Sequence, residues 1–267
     1  SVKEYLDIMD HRKTEQLIDT LDKVEQNRKE CYIREFSIEH FHDSKVFETL
    51  IPKICKIFRE ENEELTGFEN EEILAEYQIY KTPGYVYMKG NVQIYSAGKQ
   101  AADISAFPEG IAVAVGSEED VPDICPDQTI DKVFTIENLT SFYRFKQEHS
   151  LVIYLGGYHN RSRRNLLMQI YQKLPDAQYY HFGDLDAGGF YILEHLKRKT
   201  GIPFQMFQMD IETLKKYEDY AKPLTENDKK RLMQLEKMEL PDEERKLITY
   251  MLQKGIKLEQ ECISESQ

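Results

Sequence analysis

The stretch HFGDLDAGGFYILEHLKRKTG, residues 181–201, decides the fold because it has the pattern of a strand end followed by a helix. The run Gln178 to Phe182 is aromatic and β-prone, and apolar residues then recur at helical spacing until Gly201 ends the pattern. Asp184 and Asp186 lie in the turn between the two elements. Open α/β folds bind their ligands at the carboxyl edge of the sheet, so this pair marks a candidate site.

A single aspartate after a strand is more often a helix cap or a turn residue than a ligand. Here Gly183, Gly188 and Gly189 bracket the pair and would let the backbone approach a ligand closely. The N-terminus of the following helix also favours an anionic phosphate. GDLDAGG after a β-prone run therefore indicates a binding turn more specifically than the DxD pair would alone.

The region around this turn, residues 126–267, alternates between strand-like and helix-like segments. Strands are predicted at 132–136, 151–155, 178–182 and 203–207, with helices at 139–148, 162–174 and 188–200 between them and three more helices after them. This alternation predicts an α/β fold with a parallel sheet flanked by helices and joined by right-handed crossovers.

Residues 1–125 have a different pattern of predicted helices and strands. Helical periodicity at 11–29 and 46–58 surrounds a predicted strand from Tyr32 to Ile38, and short strands are predicted to alternate from Glu72 to Ile94. Helices followed by a small hairpin are typical of a winged-helix-like α+β module with a β-rich extension. The sequence thus predicts two modules, residues 1–125 and 126–267.

A third acidic residue strengthens the site. Glu137 follows the predicted strand VFTI, as Asp184 and Asp186 follow QYYHF, and neighbouring strands would bring all three carboxylates to one edge. Hard oxygen ligands suit Mg²⁺ or Mn²⁺, which bridge to phosphate oxygens and can orient a water for attack. The three residues therefore predict a divalent-metal site for phosphodiester cleavage.

Composition limits the partners. The net charge of −13 over 267 residues argues against binding nucleic acid by bulk electrostatics, although it does not exclude DNA as a substrate. A strip without acidic residues, GYHNRSRRNLLMQIYQK, is the best candidate for gripping phosphates, and a solvated helix face explains it about as well; its cations are Arg161, Arg163, Arg164 and Lys173. Four singly spaced cysteines favour reduced thiols and a cytoplasmic location, and no apolar run approaches the roughly 20 residues of a membrane span.

Other polar residues have two interpretations each. His159 and Asn160 could contact a phosphate or a metal-bound water, and the polarity of a surface loop explains them equally well. Glu259 and Glu261 could bring further carboxylates to the site, although a structural role is favoured. Asp210 is predicted to cap the helix that begins at Ile211.

The residues also carry a family resemblance. FTIEN around Glu137 and FGDLDAGG around Asp184 and Asp186 resemble the Toprim domain of topoisomerases, primases and related nucleases. Residues 131–264 resemble, more narrowly, the C-terminal part of the JetD family, nuclease subunits of Wadjet plasmid-defence systems that are related to the topoisomerase VI A subunit. The supporting motifs are VFTIEN, GGY, YYHFGDLDAGGFYIL, MDIETL and KLEQECI, and IREFSIEHFHDSKVFE at residues 33–48 is similar to the preceding segment.

The resemblance implies an endonuclease that cleaves double-stranded DNA, plasmids included, by metal-activated water. It implies a CAP-type winged-helix-like module and a Toprim module, with Glu137, Asp184 and Asp186 as the acidic triad for Mg²⁺ or Mn²⁺. It further implies an SMC-type defence complex as partner, and a homodimer is expected because cutting both strands needs two active sites. Phe182 and Gly188 stand where the family form has Trp and His, and neither change removes an acidic ligand.

Two points remain open at this stage. The chain begins at Ser1 and lacks the family's long N-terminal arm, so we expect a truncated chain or a shorter relative. Two alternatives to a nuclease are a topoisomerase VI-like transesterase, which needs a nucleophilic tyrosine, and a non-catalytic DNA-binding or interaction subunit. Tyr32 is the candidate nucleophile, and a packing role is favoured for it.

Overall fold

The computed structural model describes residues 11–62, 65, 68–81, 84–96, 98–115, 123–156 and 161–263. The chain divides into two compact units, residues 1–84 and 85–267. The module boundary predicted after residue 125 lies elsewhere in the chain and stays a prediction about domain organisation. No helix in the described ranges is long and apolar enough to cross a membrane.

The first unit is mainly helical. Phe36, Phe47, Ile54 and Leu74 are buried in it. Its described elements are α1 (His11–Gln26), α2 (Ile33–Phe41), α3 (Val46–Glu61), α4 (Asn70–Glu76) and a parallel pair of two-residue strands, β1 (Cys31–Tyr32) and β2 (Ile79–Tyr80).

The strand predicted from Tyr32 to Ile38 is wrong beyond Tyr32, which ends β1, because α2 begins at Ile33 and occupies the remaining residues. The Glu35 carboxylate accepts a hydrogen bond of 2.8 Å from the backbone N–H of Tyr32 and so stabilises the start of the helix. Ile33 and Phe36 are buried at helical spacing. The strands predicted from Glu72 onwards are wrong in part for the same kind of reason, since α4 extends to Glu76 before β2 begins.

The second unit is an α/β structure. Its strands are β3 (Gly84–Lys89), β4 (Val92–Ser96), β5 (Lys99–Asp103), β6 (Ile111–Val115), β7 (Asp123–Pro126), β8 (Lys132–Ile136), β9 (Ser150–Tyr154), β10 (Gln178–Phe182), β11 (Gln205–Met206), β12 (Lys222–Pro223) and β13 (Ile256–Lys257). Its helices are α5 (Leu139–Arg144), α6 (Arg161–Lys173), α7 (Ala187–Thr200), α8 (Ile211–Lys216), α9 (Glu226–Leu235) and α10 (Asp242–Lys254).

A six-stranded sheet forms the centre of this unit, in the order β11-β10-β8-β9-β3-β6. The four strands β11, β10, β8 and β9 are parallel, whereas β3 runs antiparallel to β9. Helices follow β8, β9 and β10 in turn, so the predicted α/β alternation and parallel sheet are confirmed. Strands β5, β4 and β7 form a separate antiparallel sheet.

The sheet is buried on both faces. Alternate residues of each strand point to opposite sides, and a hydrophobic cluster packs on each side. Val133 and Leu151 face a cluster that includes α6 and α7, whereas Phe134 and Val152 face a second cluster that includes α5, α9 and α10. This arrangement explains the nearly continuous apolar character of β8 and β9. It also fixes which side chains of β8 and β10 lie on the same face near the candidate site.

Candidate functional site

The carboxyl ends of β8 and β10 lie side by side. Ile136 is paired with Phe182 in the parallel register, and the backbone N–H of Glu137 donates to the Phe182 carbonyl at 3.1 Å. The expectation that these strands are neighbours is therefore confirmed. Glu137 lies directly beside the turn that carries Asp184 and Asp186.

The side chain of Glu137 is held by a buried histidine. Its Oε1 lies 2.8 Å from Nε2 of His181, and Thr135 Oγ1 lies 2.9 Å from Nδ1 of the same ring. Burial, with a smaller contribution from the Lys197 charge, lowers the pKa of His181 to about 3, so the imidazole is neutral at pH 7. The contact is thus a hydrogen bond to a neutral ring rather than an ion pair.

Two glycines of the turn make room for this arrangement. A Cβ at Gly183 would overlap the Glu137 carboxylate and lie 3.0 Å from His181 Nε2. A Cβ at Gly189 would overlap the backbone carbonyl of Asp184. These glycines, predicted to admit a ligand, thus admit the acidic side chain and the turn itself.

Asp184 is largely buried among the other acids of the site. Its Oδ1 accepts a 2.7 Å hydrogen bond from the backbone N–H of Gln260. Burial and, to a smaller extent, the negative charges of Glu137, Asp186 and Glu261 together raise the pKa of Asp184 to about 7, against the opposing effect of the Gln260 N–H. Burial and like charge thus both disfavour the ionised form of Asp184, as is common for carboxyl groups at functional sites.

Asp186 is the N-cap of α7, which is the role that an aspartate after a strand most often has. Its Oδ1 accepts from the backbone N–H of Gly189 at 2.9 Å and caps α7. Asp210 caps α8 in the same way through Thr213 N at 2.7 Å, as predicted. Capping does not remove the charge of Asp186, because that charge still raises the pKa of Asp184.

The C-terminal segment completes the site. Leu258 pairs with Leu185 in an antiparallel bridge, which brings residues 258–263 against the turn. The buried Gln260 side chain accepts from Asn138 N at 2.9 Å and donates to the Phe182 carbonyl at 3.1 Å, so it joins the ends of β8 and β10. Sequence reasoning missed Gln260 and singled out only its neighbours.

Glu259 and Glu261 flank that glutamine and point to different partners. Glu261 accepts from the Asn138 side chain at 2.5 Å and belongs to the field around Asp184. Glu259 forms an ion pair with Lys222 at 2.5 Å, next to the short pair of β12 and β13. His159 and Asn160 lie outside the described residues.

The side chains at this edge have the chemistry that a divalent cation prefers. Carboxylate oxygens are the preferred ligands of Mg²⁺ and Mn²⁺, and a cation would offset the repulsion that, together with burial, raises the pKa of Asp184. Over the part of the chain that the structure describes, no three His, Cys, Asp or Glu side chains converge in a ready-made metal-binding arrangement. The fit is therefore one of chemistry and charge.

The basic strip separates into members with different environments. Arg163 is turned inward, where its guanidinium donates to the carbonyls of Leu155 at 2.7 Å and Tyr85 at 3.3 Å. Lys173 contacts the Asp123 carboxylate and donates to Ile124 O at 2.7 Å. Arg164 is half-buried on α6, and the side chain of Arg161 lies outside the described part. A DNA-contacting role for the strip stays a prediction.

Comparison with known proteins then identifies the family. Residues 119–267 match the family model described as Wadjet protein JetD, C-terminal, a region that contains all three acidic residues and Gln260. The chain belongs to the JetD family. A curated relative, Wadjet protein JetD of Bacillus cereus (strain Q1), is 28% identical over 263 residues, which cover 97% of this chain and 63% of that JetD protein. The chain thus spans less than two thirds of the length of that relative.

Proposed function

We propose that this chain is a divalent-metal-dependent DNA endonuclease that acts in Wadjet-type defence against plasmids. The observation that carries the proposal is the group of acids at the ends of β8 and β10, where burial and the charges of Glu137, Asp186 and Glu261 raise the pKa of Asp184. Membership of the JetD family and the name of the Bacillus cereus relative support the defence role. On this proposal, the parallel strands and helices of residues 126–267 are a Toprim-like catalytic module, and the winged-helix-like module lies within residues 1–125, of which β3 and β6 join the central sheet.

Glu137, Asp184 and Asp186 would hold Mg²⁺ or Mn²⁺. When bound, such an ion neutralises charge at the scissile phosphate and promotes attack by water. The chain's own residues orient the acids: Gln260 N–H holds Asp184, the His181 ring holds Glu137, and the first turn of α7 holds Asp186. Because these donors are neutral, they would orient the acids without competing with a cation for them.

Double-stranded DNA is the proposed substrate, and SMC-type subunits are the proposed partners that deliver it. The net charge of −13 makes unaided DNA binding weak, which is consistent with delivery by a complex. A symmetric dimer would place two active sites on opposite strands. Arg164 and Arg161 are proposed to contribute local phosphate contacts.

The test is cleavage of supercoiled plasmid by the chain, alone and with SMC-type partners, in Mg²⁺ or Mn²⁺ and in EDTA. Asp184→Ala and Asp186→Ala are expected to abolish nicking and linearisation while the protein remains folded. Asp210→Ala is the matched control for Asp186, because each aspartate caps a helix through one backbone N–H. Cleavage that persists in both Asp184→Ala and Asp186→Ala would refute the metal mechanism.

A further inference from the structure

His181 and Thr135 are polar residues on an otherwise apolar face of the sheet. They are Cα partners in the parallel register of β8 and β10, and both are fully buried. Their neighbours on the same face, Val133 and Tyr179, belong to the hydrophobic cluster with α6 and α7. A buried polar pair in such a position costs stability unless its hydrogen bonds are satisfied. The hydrogen bonds of His181 and Thr135 therefore indicate which role the pair has.

The hydrogen bonds form a directed chain towards the acidic site. A carboxylate at Glu137 can only accept, so His181 Nε2 must carry the proton of that 2.8 Å contact. Nδ1 is then an acceptor, and the Thr135 hydroxyl is the donor within reach of it at 2.9 Å, although the same hydroxyl also lies 3.2 Å from the Tyr180 carbonyl. A hydrogen bond from Thr135 to Nδ1 favours the tautomer that presents an N–H to Glu137.

The turn is shaped around the same contact. Gly183 leaves space for this contact because it lacks a side chain. A Cβ at this position would overlap Glu137 Oε1 and lie 3.0 Å from His181 Nε2. The Glu137 side chain is only 10% exposed, so its carboxylate has little freedom to turn towards solvent. The strand register, the His181 tautomer and the missing side chain of Gly183 thus all help to place the Glu137 carboxylate.

We propose that His181 is a positioning residue that fixes the Glu137 carboxylate for the acidic site, with Thr135 holding the imidazole in the required tautomer. This inference rests on the proposed metal-dependent function. Partners that orient ligand carboxylates and imidazoles typically change metal affinity by about 10- to 100-fold when removed. His181 itself is not expected to touch the DNA or the reacting atoms.

The experiment titrates the full chain with Mn²⁺ by calorimetry, alongside thermal unfolding without metal. His181→Phe keeps a buried ring but removes the donor, and we expect Mn²⁺ to bind about 10- to 100-fold more weakly. His181→Gln retains an N–H donor and should bind Mn²⁺ more tightly than His181→Phe does. Thr135→Val should weaken Mn²⁺ binding in the same direction by a smaller factor.

Tyr179→Phe is the matched control, because it removes a buried hydroxyl of the same strand that donates to the Leu174 carbonyl at 3.0 Å. It should lower the unfolding temperature and leave Mn²⁺ affinity unchanged. If His181→Phe binds Mn²⁺ like wild type, or if Tyr179→Phe weakens binding equally, the positioning role is wrong. Should His181→Phe fail to fold, Gly183→Ala decides: the added methyl must displace the Glu137 carboxylate, and unchanged Mn²⁺ affinity would overturn the inference.

Glu137→Gln and Asp184→Asn in the same titration separate the two proposals. If both keep wild-type Mn²⁺ affinity, the metal-dependent function fails, and the positioning role fails with it. If both lose binding while folded His181→Phe does not, only the positioning role fails.

Discussion

Replacing Asp184 with asparagine should stabilise the metal-free protein at pH 8. Asparagine keeps the oxygen that accepts from Gln260 N and removes the charge that the site disfavours. Burial and the neighbouring acids raise the pKa of Asp184 from 3.8 to about 7. At about 1.4 kcal/mol for each unit of pKa, the ionised side chain costs on the order of 4 kcal/mol in the folded state.

The pH dependence follows from proton binding. Between about pH 4 and pH 7 the folded chain retains a proton on Asp184 that the unfolded chain has released, so the free energy of unfolding falls as the pH rises through this window. Asp184→Asn lacks this contribution. Its advantage over wild type should therefore be near zero at about pH 4, grow to about pH 7 and then level off.

Urea unfolding in EDTA at a series of pH values between 4 and 8.5 measures this difference. Mn²⁺ added at pH 8 should stabilise wild type, because it binds the folded state, and should have little effect on Asp184→Asn. The reasoning is refuted if the variant is no more stable than wild type at pH 8 in EDTA. A stability difference that is constant with pH would refute it equally.

Four further substitutions test other parts of the structure. Gln260→Ala removes a buried amide that joins two strand ends and should lower the free energy of unfolding by about 1–3 kcal/mol, measured by urea denaturation; an unchanged value would exclude this role. Tyr32→Phe should leave plasmid cleavage intact, whereas a covalent protein–DNA adduct trapped in denaturant would favour a transesterase. Arg164→Ala should weaken DNA binding and reduce the salt slope by about 1, measured by fluorescence anisotropy, whereas Arg163→Ala should mainly lower stability because its guanidinium holds backbone carbonyls.

The sheet and the place of the acids could be predicted from the sequence because their signals are local. Apolar and aromatic runs define β8, β9 and β10, with glycine shortly after the last two, and the parallel crossover rule then places their carboxyl ends at one edge. Glu137 and Asp184 each follow such a run by one or two residues. The metal-binding role of these acids stays a prediction, since their convergence around an ion depends on side-chain geometry that spacing does not determine.

The secondary structure of the first unit is harder to predict, because its local sequence carries signals for both strand and helix. IREFSI alternates like a strand, yet Glu35 caps the turn at Tyr32, and the apolar residues Ile33 and Phe36 share one face of a helix. Gln260 could not be found because its partners are 78 and 122 residues away along the chain. A signal for His181 did exist: β8 and β10 each carry one polar residue on the same face.

The hydrogen-bond donors that hold the acids of this site are uncharged, and this affects the charge of the site. The Gln260 N–H, the Gly189 N–H and the His181 ring orient Asp184, Asp186 and Glu137, and none of these three donors carries a positive charge. A lysine or arginine in any of these positions would lower the pKa of Asp184 and compete with a cation for the same oxygens. Orientation by uncharged donors therefore supports the proposal that a divalent cation from solvent binds at this edge of the sheet.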